Sequence, residues 1–232
     1  MTGINKISLL NVLKDYPLLT IKDLSRITGK KPDYVKIMVN RMLTGGLIYG
    51  VERGKYTMHD DPLVFASHII YPSYISLWSA LRFHDMTTQL PGKTFVTASK
   101  SKKNINFLGK EIIFLKTKHL WGYGKCRYDK FEVFVSDKEK TVIDCLLTME
   151  VPLREVYGAL DYVNPEKLIE YAEKTGNTSL MKRLGYLLEL KGIPVPEQVN
   201  FAGTPNTPLN PVLGTAGKIS KKWGLIINQE IR

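Results

Sequence analysis

The sequence predicts an α+β fold, and three observations carry that prediction. Apolar residues recur at helical spacing from Ile4 to Met42. From Lys93 the period shortens to strand-like alternation, which persists to Val135. Helical segments then follow one another between Asp137 and Gly192. Strands grouped before helices predict an antiparallel sheet followed by C-terminal helices, and not the alternation of an α/β fold. At 232 residues the chain suits one large domain or two small ones. The expected division is a module over 1–60, a helical connector over 61–92 and an α+β domain over 93–232, in which 194–220 is an irregular arm.

Each element has a local reason. Ile4, Ile7, Leu10 and Leu13 make a first amphipathic helix, and Tyr16-Pro17 ends it because a residue before proline avoids the helical region. Thr20 to Asp23 matches a capping box with aspartate in place of the usual glutamate, and Ile21, Leu24 and Ile27 bury the helix it opens. Gly29 supplies a sharp turn. Pro32 suits the first position of a third helix, whose inner face is Val35, Val39 and Met42 and whose stop is Gly45-Gly46. Leu47 to Tyr49 and Lys55 to Thr57 are short strands joined by a turn at Glu52-Arg53-Gly54. Helix, turn, helix and basic hairpin in this order are the layout of a winged helix-turn-helix, which lays one helix in a major groove of DNA.

The expected DNA-facing residues follow from that layout. Lys30 and Lys31 stand at the start of the third helix, where amides and ammonium groups meet phosphate oxygens. Tyr34, Lys36, Ile37, Asn40 and Arg41 face outward; Asn40 suits an adenine edge, and Arg41 a guanine edge or a phosphate. Asp33 on the same face repels phosphate and helps only by accepting from a cytosine amino group. Arg53 and Lys55 form the wing tip, reaching a minor groove or flanking phosphates. Lys100, Lys102 and Lys103 form a possible second basic surface, facing either DNA or an acidic protein, and Lys110, Lys116, Lys118, Lys125, Arg127 and Lys130 extend the charge. Three-helix units with a hairpin also serve as protein-binding modules, so a protein partner stands as the alternative.

Beyond the module, Leu63 to Ile70 and Ile75 to Phe83 read as helices interrupted by Tyr71-Pro72-Ser73-Tyr74. Strands are expected at Thr94 to Ala98, within Asn104 to Lys116, within His119 to Tyr128, and at Phe131 to Val135. Helices follow from the Asp137 cap, from Pro152 to Leu160, from Asn164-Pro165 to Lys174, and from Thr178 or Ser179 to Gly192. Lys221 to Ile227 returns as a last strand.

Several stretches together carry a resemblance. They are Tyr74-Ile75-Ser76-Leu77-Trp78-Ser79-Ala80-Leu81 with Gln89-Leu90-Pro91, and Glu139-Lys140-Thr141-Val142-Ile143-Asp144-Cys145-Leu146. Further on come Arg183-Leu184-Gly185-Tyr186-Leu187-Leu188-Glu189 and Trp223-Gly224-Leu225-Ile226-Ile227-Asn228. With the Arg53-Gly54-Lys55-Tyr56 wing, they resemble the AbiEi-type antitoxins of abortive-infection (type IV) toxin–antitoxin systems, also described as predicted transcriptional regulators. The resemblance runs through nearly the whole chain. It implies a winged-helix domain followed by an antitoxin domain, in a repressor that binds inverted repeats in its own operon and opposes a nucleotidyltransferase-like toxin. Symmetric operators imply a homodimer, or monomers loading cooperatively on double-stranded DNA. Alternatives are a stand-alone transcriptional regulator, or a protein-interaction antitoxin that does not bind DNA.

Composition bounds the rest. The net charge is +11, which favours a polyanionic partner without specifying one. No apolar run approaches the ~20 residues of a membrane span. The start, Met1 to Lys6, has no secretory signal pattern, so a cytoplasmic location is expected. Cys126 and Cys145 form no CxxC pair, and whether they bridge is open. No enzymatic activity, cofactor or metal is expected. Glu132, Asp137, Glu139 and Lys140 cluster as in a magnesium nuclease, but Asp137 is better used as a helix cap. His59, His68, His84 and His119 lack metal-ligand spacing, and Ser73, Ser76 and Ser79 lack a G-x-S-x-G turn. Tyr71, Tyr74, Trp78 and Phe83 suit a core or a seam better than a base-stacking platform.

Overall fold

The computed structural model describes residues 6–195, 201 and 203–231 of the chain. The protein is α+β, and it divides into two compact units: residues 1–75 with 91–135, and residues 76–90 with 136–232. The chain crosses between units after residues 75, 90 and 135, the second crossing beside the expected boundary at 92 and none near 60. The reason is Ser73–Ile75, where Ser73 and Tyr74 are expected to interrupt two helices and Ile75 to open the second. That segment is a strand fully inside a sheet, so the strands of 93–135 belong with the amino-terminal module, and 76–90 is an excursion.

In the first unit, α1 (Lys6–Leu13), β1 (Leu19–Thr20), α2 (Ile21–Thr28) and α3 (Pro32–Thr44) lead into a hairpin of β2 (Tyr49–Glu52) and β3 (Lys55–Thr57). The Thr20 hydroxyl accepts from the Asp23 amide at 3.2 Å, and the Asp23 carboxylate accepts from the Thr20 amide at 3.0 Å, so the capping box forms with aspartate. Gly29 takes φ 67°, a turn that a side chain would strain. β1 pairs with β3, completing a small antiparallel sheet of order β1-β3-β2. Leu9, Leu13, Leu19, Leu24, Val35, Val39, Met42 and Ile48 form its core.

A second core in the same unit lies under a larger sheet. After α4 (Pro62–Phe65) and a 3-10 turn at Ala66–His68 come β4 (Ser73–Ile75), β5 (Lys93–Ala98), β6 (Ile105–Phe107), β7 (Lys110–Lys116), β8 (Tyr123–Tyr128) and β9 (Phe131–Ser136). Their order is β6-β7-β5-β4-β9-β8. The sheet is mixed, not antiparallel as expected: β5 runs parallel to β7, and β4 parallel to β9. β6 lies at an edge, so β7 folds back beside β5 and must run in the same direction. Alternation alone gives each strand its faces and not its neighbour. Val51 of the hairpin belongs to this second core with Phe65, Ile69, Phe107, Ile112 and Phe131, so the hairpin is packed into the sheet.

The second unit is helical around α6 (Lys138–Thr148), which contacts α5 (Leu77–Phe83), α7 (Leu153–Ala159), α8 (Pro165–Thr175) and α9 (Thr178–Leu190). Residues Glu139 to Leu146 of α6 are all buried. Its charged residues are tolerated there because each has a partner; Lys140 and Asp144 pair one helical turn apart. The part of the expected arm that lies among the described residues includes β10 (Thr207–Pro208) and β11 (Lys218–Ser220), which with β12 (Leu225–Ile227) form a sheet of order β10-β12-β11. The single strand expected over Lys221 to Ile227 is thus β12 alone, preceded by a turn. Residues 196–200 and 202 of the expected arm lie outside the described residues.

Candidate nucleic-acid interface

The charge of the chain is not spread evenly. The first unit holds 20 Lys and Arg against 9 Asp and Glu, and the second holds 13 against 13. The entire surplus of +11 therefore belongs to the unit that contains α3.

Lys30, Lys31, Asp33, Tyr34, Lys36, Ile37, Asn40 and Arg41 are all exposed, while Val35, Val39 and Met42 are buried. One side of α3 holds the core and the other faces solvent. Tyr34 is 54% and Ile37 55% exposed, large apolar groups left in water on that outer side. The Lys30 ammonium lies 5.8 Å from the centroid of the Tyr34 ring. Asp33 pairs with Lys36 at 3.0 Å, both on the surface, so its charge is locally balanced. Lys31 occupies the cap position of α3 without a side-chain hydrogen bond to the first amides.

The hairpin departs from expectation at Lys55. Glu52 and Lys55 are directly opposite each other across the turn, and residues so paired share a face. That face is inward. The Lys55 ammonium pairs with Glu52 Oε1 at 2.8 Å and also donates to the Ile69 carbonyl. Lys102 reaches the other oxygen of the same carboxylate, Glu52 Oε2, at 2.5 Å, and lies over the Phe114 ring. Burial pushes the Glu52 carboxyl up, but the Lys102 and Lys55 ammonium groups outweigh it and hold it below its ordinary value. Lys55, expected at the wing tip, and Lys102, expected on a second basic surface facing DNA or an acidic protein, are therefore internal ties. Arg53, Lys100 and Lys103 remain exposed. Glu52 lies outside the expected site residues. Its pairing with Lys55 is legible from a tight turn, whereas its pairing with Lys102, 50 residues away, is not.

The acidic cluster considered for catalysis is consumed by structure. Asp137 caps α6 through the Lys140 amide at 2.8 Å and accepts from the Tyr171 hydroxyl at 2.9 Å. Glu139 accepts from the Asn164 amide at 2.9 Å and from Lys167 at 2.8 Å. Burial raises the Glu139 carboxyl, and Lys167 with the Asn164 amide more than reverses this. In the other unit, Glu132 pairs with Lys125 at 2.9 Å. Among the described residues no three or more His, Cys, Asp or Glu side chains could hold a metal ion, and no helix is long and apolar enough to cross a membrane. Cys126 and Cys145 are free thiols.

Two of the sequence stretches that carry the family resemblance meet in space. A Cβ on Gly185 would lie 2.1 Å from the Trp223 ring, so only glycine leaves room for the indole. The indole donates to the Glu189 carboxylate, and the Arg183 guanidinium donates to the Pro208 and Leu209 carbonyls at 3.1–3.3 Å. Lys182 donates to the Pro205 carbonyl at 2.6 Å. Burial holds both cations below their ordinary pKa. The chain matches no protein-family model and no curated protein.

Proposed function

We propose that the first unit is a winged helix-turn-helix DNA-binding module in a cytoplasmic transcriptional repressor that also acts as an antitoxin. One observation carries the DNA reading: the whole surplus charge lies in the unit whose third helix turns a polar, cationic side to solvent. α3 enters a major groove. Lys30 and Lys31 with the Asp33 and Tyr34 amides of the first turn meet phosphates, Asn40 and Arg41 read base edges, and Tyr34 and Ile37 touch thymine methyl groups and sugars. Arg53 alone is the reaching residue of the wing, since Lys55 is bound to Glu52. No catalytic step is assigned, and two copies meet a symmetric operator as a dimer or cooperatively.

The antitoxin half rests on the family resemblance. Its partner is a nucleotidyltransferase-like toxin, and co-expression with such a reading frame beside this one should restore growth. Unrelieved toxicity removes that half and leaves a stand-alone regulator.

Gel shifts on the region upstream of the reading frame test the DNA half. Six phosphate contacts weaken binding on the order of a thousandfold between about 50 and 200 mM salt. No shift, or a shift indifferent to salt, sinks it. The exposed pair Tyr34 and Ile37 favours one other reading, a protein-docking face on α3. That reading expects toxin neutralisation to fail in Tyr34→Ala/Ile37→Ala while no duplex is bound by the parent chain.

A further inference from the structure

Within the first unit the surplus charge is greater over 91–135 than over 1–75. Residues 1–75 hold 10 basic against 6 acidic side chains, whereas 91–135 hold 10 against 3. Most of those ten have partners. Lys93 pairs with Glu111, Lys102 with Glu52, Lys125 with Glu132 and Lys130 with Asp15. Lys110 donates to the Asp60 carbonyl and Arg127 to the Asp129 carbonyl. The remaining four, Lys100, Lys103, Lys116 and Lys118, are exposed and have no ion pair or hydrogen bond from their side chains among the described residues.

The four gather at one end of the sheet. β5 and β7 are parallel and end together, with Ala98 opposite Lys116. The Thr117 amide donates to the Ala98 carbonyl at 2.9 Å, so the chains leading to Lys100 and Lys118 leave the sheet side by side. The Asn104 side chain accepts from the Phe114 amide at 3.2 Å, which holds Lys103 beside the end of β7. Lys102 fastens this loop to Glu52, the residue next to Arg53 at the hairpin tip. Cations that tie the loop down are neutralised by Glu52, and cations that face outward are not.

We infer that Lys100, Lys103, Lys116 and Lys118 form a second phosphate-binding surface, continuous with Arg53, that grips the DNA backbone beyond the part reached by the hairpin. The inference rests on the DNA reading above and extends it. The partner is a duplex phosphodiester backbone, read by charge and not by sequence. The bound site is then longer on the hairpin side than a helix and wing alone would cover.

The test uses the full chain and the quadruple variant Lys100→Ala/Lys103→Ala/Lys116→Ala/Lys118→Ala on a duplex of the upstream region. Because all four side chains are exposed, thermal unfolding of the variant should match the parent. The expected result is a log–log salt slope shallower by about 3 to 4, an affinity on the order of a hundredfold or more lower at about 0.15 M salt, and a hydroxyl-radical footprint shortened on one flank only. A parent chain that binds, with a variant of equal slope and equal footprint, overturns the second surface and spares the DNA reading. A parent chain that leaves no footprint overturns both.

Discussion

The two units of this chain differ in charge more than in size or composition. One carries 20 basic and 9 acidic side chains, and the other is balanced at 13 each. Charge in the balanced unit is used internally. Lys140 pairs with Asp144, Lys167 with Asp137 and Glu139, Lys191 with Asp161, and Lys222 with Glu189. The basic unit also uses charge to fasten itself, at Glu52 above all, but among the described residues Lys31, Arg53 and the four lysines at the end of the sheet have no such partners. A total of +11 says that a polyanion is a suitable partner; only its distribution says which surface would meet it.

The sharpest way to break this contrast is to remove equal charge from each unit. Lys30→Ala/Lys31→Ala/Arg53→Ala should lower DNA affinity on the order of a hundredfold at about 0.15 M salt, with a slope shallower by about 3. Lys174→Ala/Lys218→Ala/Lys221→Ala removes three exposed cations from the neutral unit and should change affinity less than about twofold. Equal losses in the two triples would show that total charge, and not its placement, governs binding.

The next effect concerns stability in the neutral unit. Gly185→Val forces a side chain into the Trp223 ring and should cost about 2–3 kcal/mol in urea unfolding of that unit. A loss below about 0.5 kcal/mol would mean that the indole has another seat.

A smaller effect separates charge from positioning in the basic unit. Glu52→Gln removes a negative charge, which by itself tightens DNA binding. It also unties Lys55 and Lys102 and frees the hairpin and loop from each other. Loss of positioning should win, lowering affinity by about threefold, while the salt slope does not decrease. Tighter binding would reduce Glu52 to a mere repulsive charge.

Acid should reach the two units at different pH. His59 lies against Phe131 at 4.6 Å between ring centroids, and burial holds its imidazole below 6.5. A depressed pKa gives stability that is present above the unfolded value and lost as pH falls through the folded one. The basic unit should therefore begin to weaken below about pH 6.5. The Glu139 carboxyl is depressed below 4.5, so its contribution to the neutral unit is intact there and declines only in more acidic solution. Hydrogen exchange followed against pH resolves the two, and His59→Phe should erase the earlier decline alone. Loss of both units at a single pH would count against this assignment.

Much of the basic unit was legible in sequence because its decisive interactions are local. Thr20 and Asp23, Gly29, Pro32 and the spacing of Val35, Val39 and Met42 act within a few residues of one another, and the elements they specify are present. What sequence could not give is the neighbour of each strand. β4 was hidden because Ser73-Tyr74-Ile75 follows a proline and is too short to show a period, yet it lies in the middle of the sheet. The parallel register that puts Lys116 beside Ala98 is likewise a long-range fact. Lys55 illustrates the limit for the candidate site. Its position at the hairpin tip was correct, and its direction was settled by a carboxylate and a carbonyl that only the fold brings near.

The seat of Trp223 has a practical consequence. Of the three tryptophans, this one is buried, its ring against Gly185 and its nitrogen donating to the Glu189 carboxylate at the surface, and a buried indole emits at shorter wavelength than one in water. Fluorescence from that ring is thus an intrinsic optical gauge of whether the closing segment of the polypeptide is docked, readable without any label.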